Sequence, residues 1–180
     1  MKQLILTIIM TWVMFDASSQ IWMAKNAKIR FFSTTPIEDI EAITQTAAGA
    51  LNLKTGRIFF KATMKSFKFE KPLMQEHFNE NYVESDKFPY AEYDGVIQNI
   101  PELKVDGTYE ILIKGYLTLH GVKAPRDVKA TLKLKYGKLE SKAVFLVPCH
   151  EHSIKIPNVT RKNISDNIEV TVDANFILKG

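Results

Sequence analysis

The chain has 180 residues, 46% of them hydrophobic, with a formal charge of +4, one cysteine, eleven phenylalanines and six methionines. That length makes about one domain, large enough to bury roughly two thirds of its unfolded surface without a metal or disulfide staple. The lone Cys149 excludes an intramolecular disulfide, and the small positive excess, spread along strand faces as Lys129, Lys133 and Lys135, argues against nucleic acid as a partner.

At the N-terminus, Lys2 precedes an apolar run from Leu4 to Phe15, followed by Asp16 and the small residues Ala17, Ser18 and Ser19. This is the layout of a secretory signal peptide, cleaved after Ser19, and the run is too short for a stable membrane anchor. A buried N-terminal helix is the competing reading. The expectation is a leader over 1–19 and a single domain over 20–180, periplasmic or secreted. No cysteine follows the run, which argues against a lipid-anchored lipoprotein.

Beyond the leader, nearly every long segment alternates apolar and polar residues with period two. Strands are predicted at Lys28–Thr35, Thr46–Leu53, Arg57–Phe69, Tyr90–Ile100, Thr108–Leu119, Arg126–Tyr136, Lys138–Cys149 and Ile168–Leu178. Thr55-Gly56, Asp106-Gly107, His120-Gly121 and Tyr136-Gly137 offer glycines for tight antiparallel connections. The fold class is therefore all-β, and eight consecutive strands suit a closed up-and-down antiparallel barrel.

Alternation also assigns faces. Val128, Ala130, Leu132 and Leu134 oppose Asp127, Lys129, Thr131, Lys133 and Lys135, and only one register buries the apolar set. The same argument points Ile111, Ile113, Gly115, Leu117 and Leu119 inward, with Ala143, Phe145 and Val147, and Val170, Val172, Ala174 and Phe176. In the third strand Ile58, Phe60, Ala62 and Met64 share one parity while Phe67 and Phe69 take the other, so a bulge is expected near Lys65-Ser66.

Three helical pieces are expected. Thr35-Pro36-Ile37-Glu38 has the cap, N1 proline and N3 glutamate of a capping box, opening a helix to about Ile43. Pro72 starts a second over Leu73–Tyr82, where Leu73, Met74, His77, Phe78 and Tyr82 share one side. Pro89 then ends the turn Ser85-Asp86-Lys87-Phe88-Pro89 and hands the chain to a strand, so this helix reads as a lid. A third over Asn158–Asn167 would turn Val159 and Ile164 inward and leave Arg161 and Lys162 facing solvent or a ligand head group.

Four histidines are present. On a strand, His150 and His152 would face one side and, with His77 or His120 nearby, form a His-rich zinc or copper site; this is the alternative function. Cys149 and Glu151 would face the other way. No Gly-x-Ser-x-Gly, His-Glu-x-x-His or phosphate-cradling glycine loop is present, so the expectation is no enzyme. Asn158-Val159-Thr160 and Asn163-Ile164-Ser165 are glycosylation sequons, which matter only in a eukaryotic secretory pathway. Whether the barrel is packed solid or hollow is open from the residues alone, since eight strands allow either. Inward Gly95, Gly115, Ala62 and Ala143 would leave room inside.

Thr55-Gly56-Arg57-Ile58, Phe67-x-Phe69, Leu73-Met74 through His77-Phe78, Phe88-Pro89-x-Ala91, Gly115-x-Leu117-Thr118-Leu119-His120-Gly121-Val122 and Ile154-x-Ile156-Pro157 follow one another in an order and spacing that resembles the YceI-like family of polyisoprenoid-binding proteins. The likeness covers nearly all of the chain after the leader. It implies an exported, lipocalin-like eight-stranded barrel whose interior holds a long isoprenoid chain without catalysis; a quinone-like lipid is an alternative ligand, and the modest positive charge leaves transient contact with a membrane surface open. The tunnel would then be lined by Phe60, Met64, Met74, Phe78, Tyr82, Tyr93, Ile111, Ile113, Leu117, Leu132, Phe145 and Phe176. Cys149-His150-Glu151-His152 departs from the family, whose members more commonly carry an aspartate and an aromatic there.

Overall fold

The computed structural model describes residues 21–179, so the expected leader lies outside the described residues. Strands run β1 (Ile21–Thr34), β2 (Asp39–Asn52), β3 (Arg57–Thr63), β4 (Lys68–Phe69), β5 (Tyr90–Ile97), β6 (Gly107–Leu119), β7 (Val122–Pro125), β8 (Val128–Lys135), β9 (Lys138–Pro148) and β10 (Asn167–Leu178). The wall order is β1-β10-β9-β8-β6-β5-β3-β2, and β2 closes back on β1, which makes a closed eight-stranded antiparallel barrel. Short β7 continues the β8 wall upward along β6, and β4 adds two residues beside β2.

Two of the predicted glycine turns are two-residue hairpins with both residues at positive φ, His120-Gly121 (51° and 73°) and Tyr136-Gly137 (50° and 71°), the twist-matched geometry for antiparallel ribbons. Asp106-Gly107 is different. Gly107 simply opens β6, and Asp106 accepts the Tyr136 N–H at 2.9 Å, so the aspartate braces the neighbouring turn while the 98–106 loop joins β5 to β6.

Because Thr34 pairs with Asp39 and Ile21 with Asn52, the two ends of the barrel are easily told apart. The floor end carries the 53–56 and 136–137 turns and the 98–106 loop. The mouth end carries everything else: the 35–38 turn, the long 64–89 insertion, the 120–121 turn and the 149–166 segment. The floor is packed, with Leu51, Leu132 and Leu139 fully buried.

Three expectations fail for identifiable reasons. Thr35 does make capping bonds, accepting from the N–H groups of Ile37 (3.3 Å) and Glu38 (3.1 Å), but they close a tight turn and Asp39 starts a strand, so there is no helix to Ile43. Pairing of β2 along β1 overrides the local signal. Those two strands were also predicted too short. The β1–β2 register shifts between Ala24 and Ala27 and again between Ala27 and Ile29, so alternation slips phase where a continuous pattern was sought. Second, the parity change in the third strand comes from a 3₁₀ turn over Met64–Ser66, not a single-residue bulge, and it buries both Met64 and Phe67. Third, Asn158–Asn167 is not a helix: Thr160 N–H bonds Pro157 O and Asn163 N–H bonds Thr160 O as separate turns, and Ser165 N–H goes to Ser33 Oγ at 2.8 Å. Val159 is exposed there, and Ile164 lines the interior.

The lid helix forms as α1 (Pro72–His77) and runs on into a π turn over Phe78–Tyr82. Pro72 occupies its first turn, where a missing N–H costs nothing.

Candidate functional site

Inside the mouth end lies an apolar cavity of about 420 Å³. Its wall takes Phe60 and Met64 from the β3 region, Tyr93 from β5, Ile111, Ile113 and Leu117 from β6, and Phe145 from β9, while Met74, Phe78 and Tyr82 come from the lid. Leu132 and Phe176, expected beside them, do not line it. Both are buried in the floor, where the Phe176 ring meets Phe60 at 6.1 Å edge-on. Alternation tells which way a side chain points and carries no information about depth along the barrel axis.

The glycines expected to hollow the barrel serve another purpose. Gly95 and Gly115 face each other across β5 and β6, and the Tyr93 side chain lies over them: a Cβ on Gly115 would stand 2.9 Å from Tyr93 Oη. Tyr93 Oη donates to the Arg126 carbonyl at 3.0 Å, at the break between β7 and β8. Burial pushes this phenol far above its ordinary value, so it stays a neutral donor. Ala62 and Ala143, by contrast, do line the cavity.

Phe78 anchors the lid. Its ring stacks on Phe31 at 5.1 Å and packs against Phe69 at 5.0 Å and Phe67 at 6.1 Å. Phe31 escaped the sequence reading because it is followed directly by Phe32, and two adjacent phenylalanines leave the parity of that stretch ambiguous. Beside the lid runs the 154–164 segment. Tyr82 Oη donates to Thr160 Oγ1 at 3.3 Å, while Lys71 (2.7 Å) and Asn163 (3.4 Å) both donate to Glu38. These donors hold the Glu38 carboxyl below its usual range, Lys71 first and Asn163 second. Glu38, Thr160 and Asn163 all border the cavity, so a polar rim surrounds an apolar interior. No local pattern marks this rim, since Glu38 and Asn163 meet across 125 residues of chain.

At the back of the lid the motif residues meet. Phe88 packs edge-on over His120 at 4.7 Å, and a Cβ on Gly121 would come within 2.5 Å of the Phe88 ring. His120 Nε2 lies 2.7 Å from Glu84 Oε2 and Nδ1 lies 3.1 Å from the His152 carbonyl. Phe-Pro and Leu-His-Gly are thus two halves of one corner.

The structure separates His150 from His152. They sit on a 3₁₀ turn over Cys149–His152 rather than on a strand; His150 is exposed, His152 is fully buried and its Nδ1 donates to the Val122 carbonyl at 3.1 Å. Burial holds the His152 imidazole below its ordinary pKa. Glu151 is taken up by Arg126, and burial, with the nearby Asp166 charge, pushes the Cys149 thiol up to about 11. Among the described residues no group of three or more His, Cys, Asp or Glu is arranged to hold a metal ion.

The family model described as YceI-like domain matches residues 16–176. The chain belongs to the YceI-like family. Among solved structures, it is similar to a polyisoprenoid binding domain from Saccharophagus degradans implicated in plant cell wall breakdown, with 12% identity, a TM-score of 0.75, and coverage of 89% of this chain and 99% of that one. It also resembles BcnA from Burkholderia cenocepacia, at 11% identity and a TM-score of 0.70 over 83% of this chain and 95% of that one. The YCEI protein of Campylobacter jejuni follows at 14% identity and a TM-score of 0.56, over 75% and 81%. No curated protein matches the sequence. At such identities these likenesses establish the barrel alone.

Proposed function

We propose that this YceI-like barrel is an exported, non-catalytic binder of a long-chain isoprenoid or similar amphiphilic lipid, carried with its tail in the cavity and its polar end at the Glu38–Thr160–Asn163 rim. The observation that carries the reading is an apolar cavity bordered at the mouth end by exposed and polar rim residues, with a tethered helix forming part of its wall. The Saccharophagus degradans relative, described as polyisoprenoid-binding, supports the ligand class. Each buried CH₂ contributes about 0.8 kcal/mol, so a tail needs little polar recognition to bind well. The one thiol of the cavity wall, Cys149, is protonated at neutral pH. The leader-like residues 4–19 support a periplasmic or secreted location.

Mass spectrometry of an organic extract of the protein purified from its native host tests the proposal. One dominant lipid near one equivalent is expected. An empty extract, together with failure to take up a fluorescent polyprenyl or fatty-acid probe, would refute it.

A further inference from the structure

The slit into the cavity lies between α1 with its π turn and the 154–164 segment, which bond to one another at Tyr82–Thr160 and converge on Glu38 through Lys71 and Asn163. We infer that the 154–164 lip docks on an anionic bilayer, turning the slit toward the membrane from which lipid enters. The inference rests on the lipid-binding reading and adds the surface that reading lacks.

Two features of the lip carry it. Val159 borders the cavity yet is 88% exposed. Single exposed apolar residues are ordinary on a protein surface. Val159 differs because it also borders the cavity, so apolar surface continues there from outside the rim to the interior and a tail leaving a bilayer meets little water on the way. The second feature is charge. Ile154–Ile164 contains Lys155, Arg161 and Lys162, all exposed, and no carboxylate; none of the three cations has an ion-pair partner among the described residues.

The opposite lip carries exposed Glu76 and Glu80. A negatively charged surface therefore attracts one side of the slit and repels the other, which fixes an orientation as well as an affinity. The 154–164 lip touches down and α1 stays clear.

Flotation of the full protein with vesicles tests this, using phosphatidylglycerol mixed into phosphatidylcholine against phosphatidylcholine alone. Binding is expected only to the mixed vesicles and should weaken as salt rises. A cation near an anionic surface is worth roughly fivefold in partitioning, so Arg161→Glu with Lys162→Glu should cost roughly 25-fold or more. Val159→Asp should also weaken binding, while Val105→Asp, at an exposed site of the floor end, should leave it unchanged. Glu76→Lys with Glu80→Lys should strengthen it. Uptake of a fluorescent fatty acid from solution keeps the two readings apart: if it persists while vesicles are not bound, or while the Arg161/Lys162 variant binds them as well as the parent does, docking is overturned and the cavity stands. Equal binding to neutral vesicles also overturns the inference. If vesicles bind as expected but no variant takes up the probe, the lipid-binding reading fails instead.

Discussion

Glu84 and His120 meet at 2.7 Å where the chain leaves the lid, and both hold positive φ, 46° and 51°. Non-glycine residues in that region carry a local cost that surrounding contacts must offset. His120 supplies them from both ring nitrogens, reaching Glu84 on one side and the His152 carbonyl on the other. The lid's return is thereby pinned to the 120–121 turn and to the segment that forms the opposite lip.

This contact predicts acid sensitivity. The His120 bond, aided by the charge of Lys87, holds the Glu84 carboxyl below its ordinary value of 4.5. A depressed carboxylate contributes stability above its unfolded pKa and loses it as pH falls through the folded value. Release of a bound fluorescent lipid should therefore accelerate below about pH 4.5, and Glu84→Gln should release faster at neutral pH with a flatter profile through that acid range. Stopped-flow release measured across pH checks this; a Glu84→Gln profile matching the parent would remove Glu84 from the latch.

Phe78→Ala should open the lid further. Its ring packs with three other phenylalanines, yet it is only partly buried, so the loss should fall toward the lower end of roughly 3–5 kcal/mol. Off-rates should rise while far-ultraviolet circular dichroism keeps its barrel signature. Hydrogen exchange that finds 72–82 as protected as the central strands would mean the helix is core, and the gate would have to lie at the 35–38 turn.

Strand faces and the lid were legible in the sequence because period-two alternation and a proline at a helix start are local signals. The inward parity of Val128, Ala130 and Leu132 was correct for that reason. What escaped was set by distant partners. Thr35 bonds Ile37 and Glu38 as a helix cap would, and only the pairing of Thr34 with Asp39 makes the outcome a hairpin. Depth within the barrel was likewise invisible, which is why Leu132 and Phe176 were placed in the cavity. The rim bonds from Tyr82, Lys71 and Asn163 span up to 125 residues of sequence and have no local signature.

The register makes a paired prediction. Leu132 is fully buried, so Leu132→Arg places an unpaired charge in the packed floor and should abolish folding. Lys133 is half exposed and lies 3.8 Å from Glu140; Lys133→Glu swaps a weak surface attraction for repulsion, a change of about 1 kcal/mol at most. Urea titrations of both variants decide it. Comparable damage at Lys133 would mean that the strand faces are assigned the wrong way round.

The last prediction concerns the glycine pair beneath Tyr93. A Cβ at Gly115 would fall 2.6 Å from the Asp94 carbonyl oxygen and 2.7 Å from Gly95 Cα, both backbone atoms that cannot swing away. Gly115→Ala must therefore push β5 from β6 and lift the Tyr93 hydroxyl off the Arg126 carbonyl, with an overpacking cost of about 1–3 kcal/mol plus part of a buried hydrogen bond. Gly137→Ala is the control. Its φ of 71° disfavours alanine, but a Cβ there meets nothing within 4 Å, so the cost should be close to the 1–2 kcal/mol of a left-handed residue. Tyr93→Phe should relieve only the hydroxyl clash in the Gly115→Ala background, because the backbone contacts remain. Denaturation midpoints for the single and double variants check the order. If Gly115→Ala is as mild as Gly137→Ala, the close approach of β5 and β6 does not constrain the fold, and the interior at that level has room that Tyr93 does not fill.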